Sequence, residues 1–281
     1  MPVKITADST CDLSKEILEK YDIDITPLYV TLGGKTGKDG IDVTPEDIYR
    51  FVESSGKLPK SSAVNAEDYA VMFKKWREQG YEIIHFCIGS DFSCCFQNAN
   101  IAAQDMDGIY IIDTENLSSG QGLLVVRAAE LAIDGRSAKE IVEECEKLKS
   151  KVEASFVIDT IEYLHKGGRC SSLAAFGANV FHIKPCIEVK DGKMGAAKKY
   201  RGNINRVIKN YVEDRLKGRT DIDSARIFIT HSKCDDGTVD KVKEYIREFQ
   251  PEMKEILDTD AGATITTHCG PGTLGVLFIR K

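Results

Sequence analysis

The chain has 281 residues, 42% hydrophobic and 29% charged, with a formal net charge of -6, the make-up of a soluble globular protein with one large or two ordinary domains. No apolar run approaches the roughly 18 residues of a membrane span, and the opening MPVKITADST has no signal-peptide core. The acidic balance disfavours nucleic acid, whose phosphates need a concentrated positive field, and nine cysteines without an export signal fit free thiols in a reducing cytoplasm better than a disulfide framework.

The first half alternates short apolar runs with amphipathic stretches, the pattern of a parallel sheet wrapped by helices. Residues 3–7 read as a strand, 13–21 as a helix and 25–32 as a strand. A glycine-bearing loop, GGKTGKDGIDVTPED, leads into a helix from Pro45, with Thr44 as its N-cap. A helix over 66–79 precedes a strand over 82–88, and a strand over 109–113 precedes a long apolar helix that ends at Gly135. A helix over 138–151 completes this half.

Beyond Phe156 the pattern changes. KPCIEVKDGKMGAAKKY reads as two strands about an Asp191-Gly192 turn, a strong hairpin signal. A helix over 203–217, a strand over 226–230, a helix over 237–249, a strand over 253–258 and a strand over 275–279 follow. This mixture predicts a second α/β domain with a mixed or antiparallel sheet, and the boundary is placed near residue 150: 1–150 and 151–281. No internal repeat or low-complexity tract interrupts either half.

Several residues invite chemistry. Cysteines and histidines lack the closely spaced pairs of a structural zinc site, and Cys94 and Cys95, being adjacent, diverge by about 100 degrees on a helix; no metal is expected. GGKTGKDG lacks the spacing of a P-loop, and Ser93, in DFSCC, does not sit in a G-x-S-x-G elbow. Anion binding is the remaining possibility. Ser9-Thr10, Ser61-Ser62, Ser93 and Ser118-Ser119 all fall near predicted strand-to-helix transitions, where loops of a doubly wound sheet gather and hydroxyls join unpaired N-H groups of a helix start. Each pair alone could equally be a helix cap.

In the second half, HKGGRC places Arg169 after a Gly-Gly turn and before an apolar helix, as a positioned ligand group or as a surface arginine after a helix C-cap. THCGPGTLGVLF sets His268 before a Gly-Pro-Gly turn, where its ring can meet a ligand or a backbone carbonyl. Residues 192–212 hold six basic residues (Lys193, Lys198, Lys199, Arg201, Arg206, Lys209) and no acidic one, a solvated face or a docking surface for an acidic partner.

Taken together, ADSTCDL, LPKSSAVNAEDY, GSDFSCCFQNA, DTENLSSGQGLLVVRAAEL, IEYLHKGGRCSS, IKPCIEVKDGKMGAAKKYRG and HCGPGTLGVLF resemble, in order and over nearly the whole chain, the DegV family of bacterial fatty-acid-binding proteins, also called FakB. The resemblance implies a two-domain α/β fold: an N-terminal three-layer α/β/α unit with a parallel sheet and a C-terminal α/β unit completing a tunnel for one long-chain fatty acid. It further implies a non-catalytic carrier without a cofactor, which presents the acid to a separate fatty acid kinase that makes the acyl phosphate for phospholipid metabolism. By position, Ser93, Ser61, Ser62 and His268 match the family's carboxylate-binding residues, Arg169 an arginine near that site and Arg201 an arginine that docks the kinase. Cys94, Cys95 and Phe96 stand where the family has Gly-Thr-Tyr, and Ser61 stands for a threonine, which puts acyl selectivity in question more than the carboxylate contact.

The same residues admit another class of function, a serine-dependent acyl hydrolase using Ser93 and His268 with an orienting carboxylate such as Asp8. A kinase subunit of the dihydroxyacetone type has no nucleotide motif to support it.

Overall fold

The computed structural model describes residues 1–170 and 183–281. The apolar helix expected after Arg169 lies outside the described residues. The chain opens with β1 (Val3–Asp8), α1 (Lys15–Lys20), β2 (Asp24–Thr26), β3 (Tyr29–Leu32), β4 (Lys35–Lys38) and α2 (Pro45–Ser55). It continues through β5 (Lys60–Ser62), α3 (Ala66–Arg77), β6 (Glu82–Cys87), α4 (Cys95–Ala103), β7 (Ile109–Asp113), α5 (Ser119–Ile133) and α6 (Ala138–Lys149). Then come β8 (Val152–Val157), α7 (Glu162–Gly167), β9 (Ile183–Lys190), β10 (Lys193–Arg201), α8 (Ile204–Leu216) and β11 (Ile222–Ser232). The chain ends with α9 (Asp236–Phe249), β12 (Glu255–Asp260), α10 (Ala263–Cys269) and β13 (Thr273–Arg280).

Among the described residues three sheets result. β2-β1-β6-β7 is wholly parallel, β10-β9-β8-β13-β11-β12 is antiparallel except for the β11/β12 pair, and β4-β3-β5 is a small antiparallel sheet. In the parallel sheet Ile83, Ile84 and Phe86 are all fully buried, as strands covered on both faces must be. The six-stranded sheet alternates instead. Ile227 and Ile229 on β11, with Val276 and Phe278 on β13, join the core under α8 and α9, whereas Phe228 and Leu277 turn to the core shared with the parallel sheet.

Helix α5 lies between the two large sheets, touching β1 and β6 of one and β8 and β13 of the other. Its sequence demands such a place. Eleven of its fifteen residues are buried, and a helix apolar on every side has no face to give to water. The layers are therefore α3/α4, parallel sheet, α5/α6, six-stranded sheet and α8/α9.

Local signals are realised where expected. Thr44 and Asp47 form a reciprocal capping box before Pro45, and Asp191 and Gly192 have φ of 51° and 74°, the paired left-handed conformations of a tight hairpin turn. Other expectations are corrected. The strand read over 25–32 is two strands in different sheets, because Pro27 lacks the N-H needed to continue the ladder. The loop before Thr44 contains β4, the helix read to 151 stops at Lys149 and gives way to β8, and α10 was not anticipated.

α10 explains its own concealment. Its sequence ATITTHC is rich in β-branched threonine, which favours strands. Tertiary contacts make it helical: Asp39 accepts from the amides of Ala263 (2.8 Å) and Thr264 (3.2 Å), and Asp12 accepts from that of Gly262 (2.9 Å). Both carboxylates come from the first forty residues, so they also fasten the end of the chain to its beginning.

Candidate functional site

The carboxyl ends of β1 and β6 and the loop after β7 gather at one edge of the parallel sheet, and the inner face of the six-stranded sheet stands opposite. Between them lies a cavity with ≈ 900 Å³ of empty space, counting the part open to solvent. Its wall is largely apolar, with Ile88 and Leu117 from the first half facing Phe156, Val189, Met194 and Leu277 from the second.

A polar cluster interrupts the wall. Ser61 on β5, Ser62 beside it, Ser93 after β6, Arg169 after α7 and His268 on the last turn of α10 all line the cavity. A hydrogen bond of 2.7 Å joins Ser61 Oγ to His268 Nε2 across 207 residues of sequence. His268 Nδ1 is buried with no hydrogen-bond partner, and it stands against Gly167, where a Cβ would come to 2.5 Å. Burial, and then the nearby Arg169 guanidinium, pull the imidazole down to about 4. The ring is neutral at neutral pH. If Nε2 carries the proton, the serine oxygen accepts it and keeps its own O-H for a ligand.

Arg169 follows the left-handed C-cap Gly168 of α7, so it leaves a helix and does not enter one within the described residues. Its Nη1 donates to the Gly167 carbonyl at 2.7 Å and its Nε to the Phe92 carbonyl at 3.4 Å. The guanidinium thus ties the end of α7 to the loop that carries Ser93.

Ser93 is not the cap of α4; Cys94 occupies that position without a side-chain cap bond. The Ser93 hydroxyl accepts from the Cys95 amide at 3.4 Å and donates to the Cys95 sulfur at 3.2 Å, and sulfur is a weak acceptor that a ligand oxygen can replace. Cys95 is fully buried, and burial, then Asp8, push its thiol up to about 12. It remains a neutral thiol that packs as a small apolar side chain. Cys94 is exposed and lies with Ser90, Asp91 and Ser93 around an opening beside the cavity.

The remaining serine and threonine pairs have structural partners. Ser9 donates to Asp39, Thr10 to Gln121, and Ser118 to Asp12 at 2.6 Å, while Ser119 and Thr230 share a hydrogen bond. Ser118 and Thr230 nonetheless line the cavity. Arg201, exposed at the end of β10, is not among the lining residues. Ser118 belongs to a pair named from the sequence, whereas Gly167 and Thr230 were not predicted. Gly167 could have been suspected from the Gly-Gly pair, but no local signal marks Thr230.

Asp8, the carboxylate a triad would require, lies elsewhere. It is fully buried and accepts from Tyr69 Oη at 2.5 Å and from the Ile88 amide at 2.9 Å, with His85 Nε2 at 3.3 Å. Asp8, His85 and Cys87 form a cluster with metal-binding atom types, yet His85 Nδ1 is bonded to Thr6 at 2.8 Å and burial raises the Cys87 thiol. His85, bonded through both ring nitrogens, makes this cluster a buried polar network. Among the described residues no helix is long and apolar enough to cross a membrane.

Relatives share this architecture over its full length. A DegV domain-containing protein of Clostridium acetobutylicum is 30% identical, covering 99% of both chains, and a fatty acid-binding protein of Thermotoga maritima is 31% identical, covering 98% of this chain and 96% of its own. A solved structure described as fatty acid binding of a DegV family protein from Thermus thermophilus superposes with a TM-score of 0.90 at 28% identity, covering 100% of both chains. The family model described as "Uncharacterised protein, DegV family" matches residues 2–281, and the chain belongs to the DegV family.

Proposed function

We propose that this protein binds one long-chain fatty acid in the cavity between its two large sheets and acts as a non-catalytic carrier. The observation that carries the reading is a mostly apolar cavity with a cluster of hydroxyls, an arginine and a histidine on its wall, built on the Ser61–His268 hydrogen bond. The relatives from Thermotoga maritima and Thermus thermophilus, described by their fatty acid binding, support it. Ser61, Ser62 and Ser93 donate to the carboxylate, His268 holds the Ser61 oxygen so that its proton faces the ligand, and Arg169 supplies positive charge beside it. The units 1–150 and 151–281 contribute the two walls of the tunnel.

The energetics suit such a ligand. Burying an acyl chain gains about 0.8 kcal/mol per methylene, so about fourteen methylenes offer roughly 11 kcal/mol before association costs. Removing a carboxylate from water consumes much of that unless several donors meet it, which is the work of the hydroxyl cluster.

A fatty acid kinase is the proposed recipient, and the exposed Arg201 end of β10, within the basic stretch 192–212, is the proposed docking surface. Cys11, Cys87, Cys94, Cys95, Cys145, Cys186, Cys234 and Cys269 are free thiols, in keeping with the proposed reducing cytoplasm. Hydrolysis finds no support in the geometry: the Ser93 hydroxyl is bonded to Cys95 and not to His268, and the His268 Nδ1 that an orienting carboxylate should hold has no partner.

Mass spectrometry of protein purified from a heterologous host and then denatured tests the proposal. A stoichiometric fatty acid should be released. Ligand-free protein that also takes up no added acid refutes it. Turnover of an acyl ester that disappears in Ser93→Ala would favour the hydrolase.

A further inference from the structure

Thr264 is 3% exposed, lines the cavity, and keeps a buried hydroxyl with no hydrogen-bond partner. The nearby hydroxyls differ from it. Ser118 donates to Asp12, Thr230 is bonded to both Ser119 and Thr259, and Thr273 donates to the Cys269 carbonyl. Within α10 itself, Thr266 donates to the Ala261 carbonyl and Thr267 to that of Ala263.

The reason for the difference is positional. Thr264 is the second residue of the helix, after the Gly262 cap, so no carbonyl of a preceding helical turn lies beneath it to accept the bond that threonine makes deeper in a helix. An unpaired buried hydroxyl is costly, and a valine of nearly the same shape would avoid that cost. The backbone bond of Thr264 to Asp39 needs no particular side chain. A rotation about its Cα-Cβ bond exchanges hydroxyl and methyl, and threonine in helices populates two such rotamers, so the oxygen can be presented to whatever fills the cavity.

Thr264 and His268 are four residues apart, on the same side of α10, which separates them by roughly 6 Å along the helix axis. A chain whose carboxylate sits at Ser61 and His268 passes Thr264 a short way along its length. We propose that Thr264 forms a second polar subsite, which recognises an oxygen substituent, a hydroxyl or a carbonyl, on the acyl chain of the ligand. This subsite rests on the fatty-acid reading above. An unsubstituted chain leaves the hydroxyl unpaired, whereas an oxygenated one completes it without disturbing the carboxylate end.

The test measures binding of hexadecanoic acid and of a series of monohydroxy-hexadecanoic acids, with the hydroxyl moved along the chain, to wild type, Thr264→Val and Thr264→Ser. Wild type should favour one position near the carboxylate end by about tenfold over its neighbours, the worth of one neutral hydrogen bond. Thr264→Ser should keep that preference. Thr264→Val should lose it and melt at a higher temperature when ligand-free. A flat profile in wild type, or a preference that survives in Thr264→Val, overturns the subsite while leaving fatty-acid binding intact. A shared failure to bind every acid in the series overturns both.

Discussion

Replacing Gly167 by alanine sets two effects of opposite sign against each other. Gly167 is the last residue of α7, and an alanine there improves helix propensity by about 0.5–1 kcal/mol. Its Cβ, however, would lie 2.5 Å from His268 Nδ1 and 3.4 Å from Cε1. The first distance is about 1 Å short of ordinary contact, so the ring must retreat by about that much. That retreat drives Nε2 towards Ser61, only 2.7 Å away, so the ring must swing out of line and the Ser61–His268 hydrogen bond loses its geometry. A bond serving a charged ligand is worth about 1.5–3 kcal/mol, so fatty-acid affinity should fall about 10- to 150-fold. Overpacking costs about 1–3 kcal/mol, and the propensity gain offsets part of it, so the ligand-free protein should lose no more than about 2.5 kcal/mol. Titration calorimetry with a fatty acid and urea unfolding of the ligand-free protein separate the two effects. Wild-type affinity in the folded variant would refute the assignment of the His268 ring to the carboxylate site.

Ser61→Ala should weaken fatty-acid binding by about tenfold or more and lower stability by about 1–3 kcal/mol, since it removes a donor and leaves the buried His268 Nε2 unpaired; calorimetry checks the binding, and unchanged affinity counts against the role of β5. His268 sits at about 4 in the fold against 6.5 ordinarily, so the unfolded chain binds the proton first. Its contribution is therefore complete above pH 6.5 and is lost as the pH falls towards 4; pH-dependent unfolding of wild type and His268→Gln checks this, and parallel curves would contradict it. Ala154→Leu, at a 3% exposed position on the cavity wall, should reduce binding of the longest acids more than of shorter ones, measured across a chain-length series. Thr44→Ala removes one half of the α2 capping box and should cost about 1 kcal/mol in urea unfolding.

Residues that act on their near neighbours announced their structure. Thr44 caps α2 through Asp47, three positions away, Asp191 and Gly192 close a hairpin between adjoining strands, and the apolar stretch of α5 can only be a helix enclosed on all sides. Seven segments in family order also pointed to the fold and to Ser61, Ser62, Ser93, Arg169 and His268 as companions, and these five do line one cavity. Why they meet is not written locally. Ser61 reaches His268 only because α10 forms, and α10 forms because Asp12 and Asp39, more than two hundred residues earlier, accept from its first amides. The break of the 25–32 segment into two sheets and the solitary Thr264 hydroxyl have the same origin. A side chain's short-range preferences are properties of its own sequence neighbourhood, whereas the partner of a buried polar atom is chosen by whichever distant segment the packed core brings within about 3 Å.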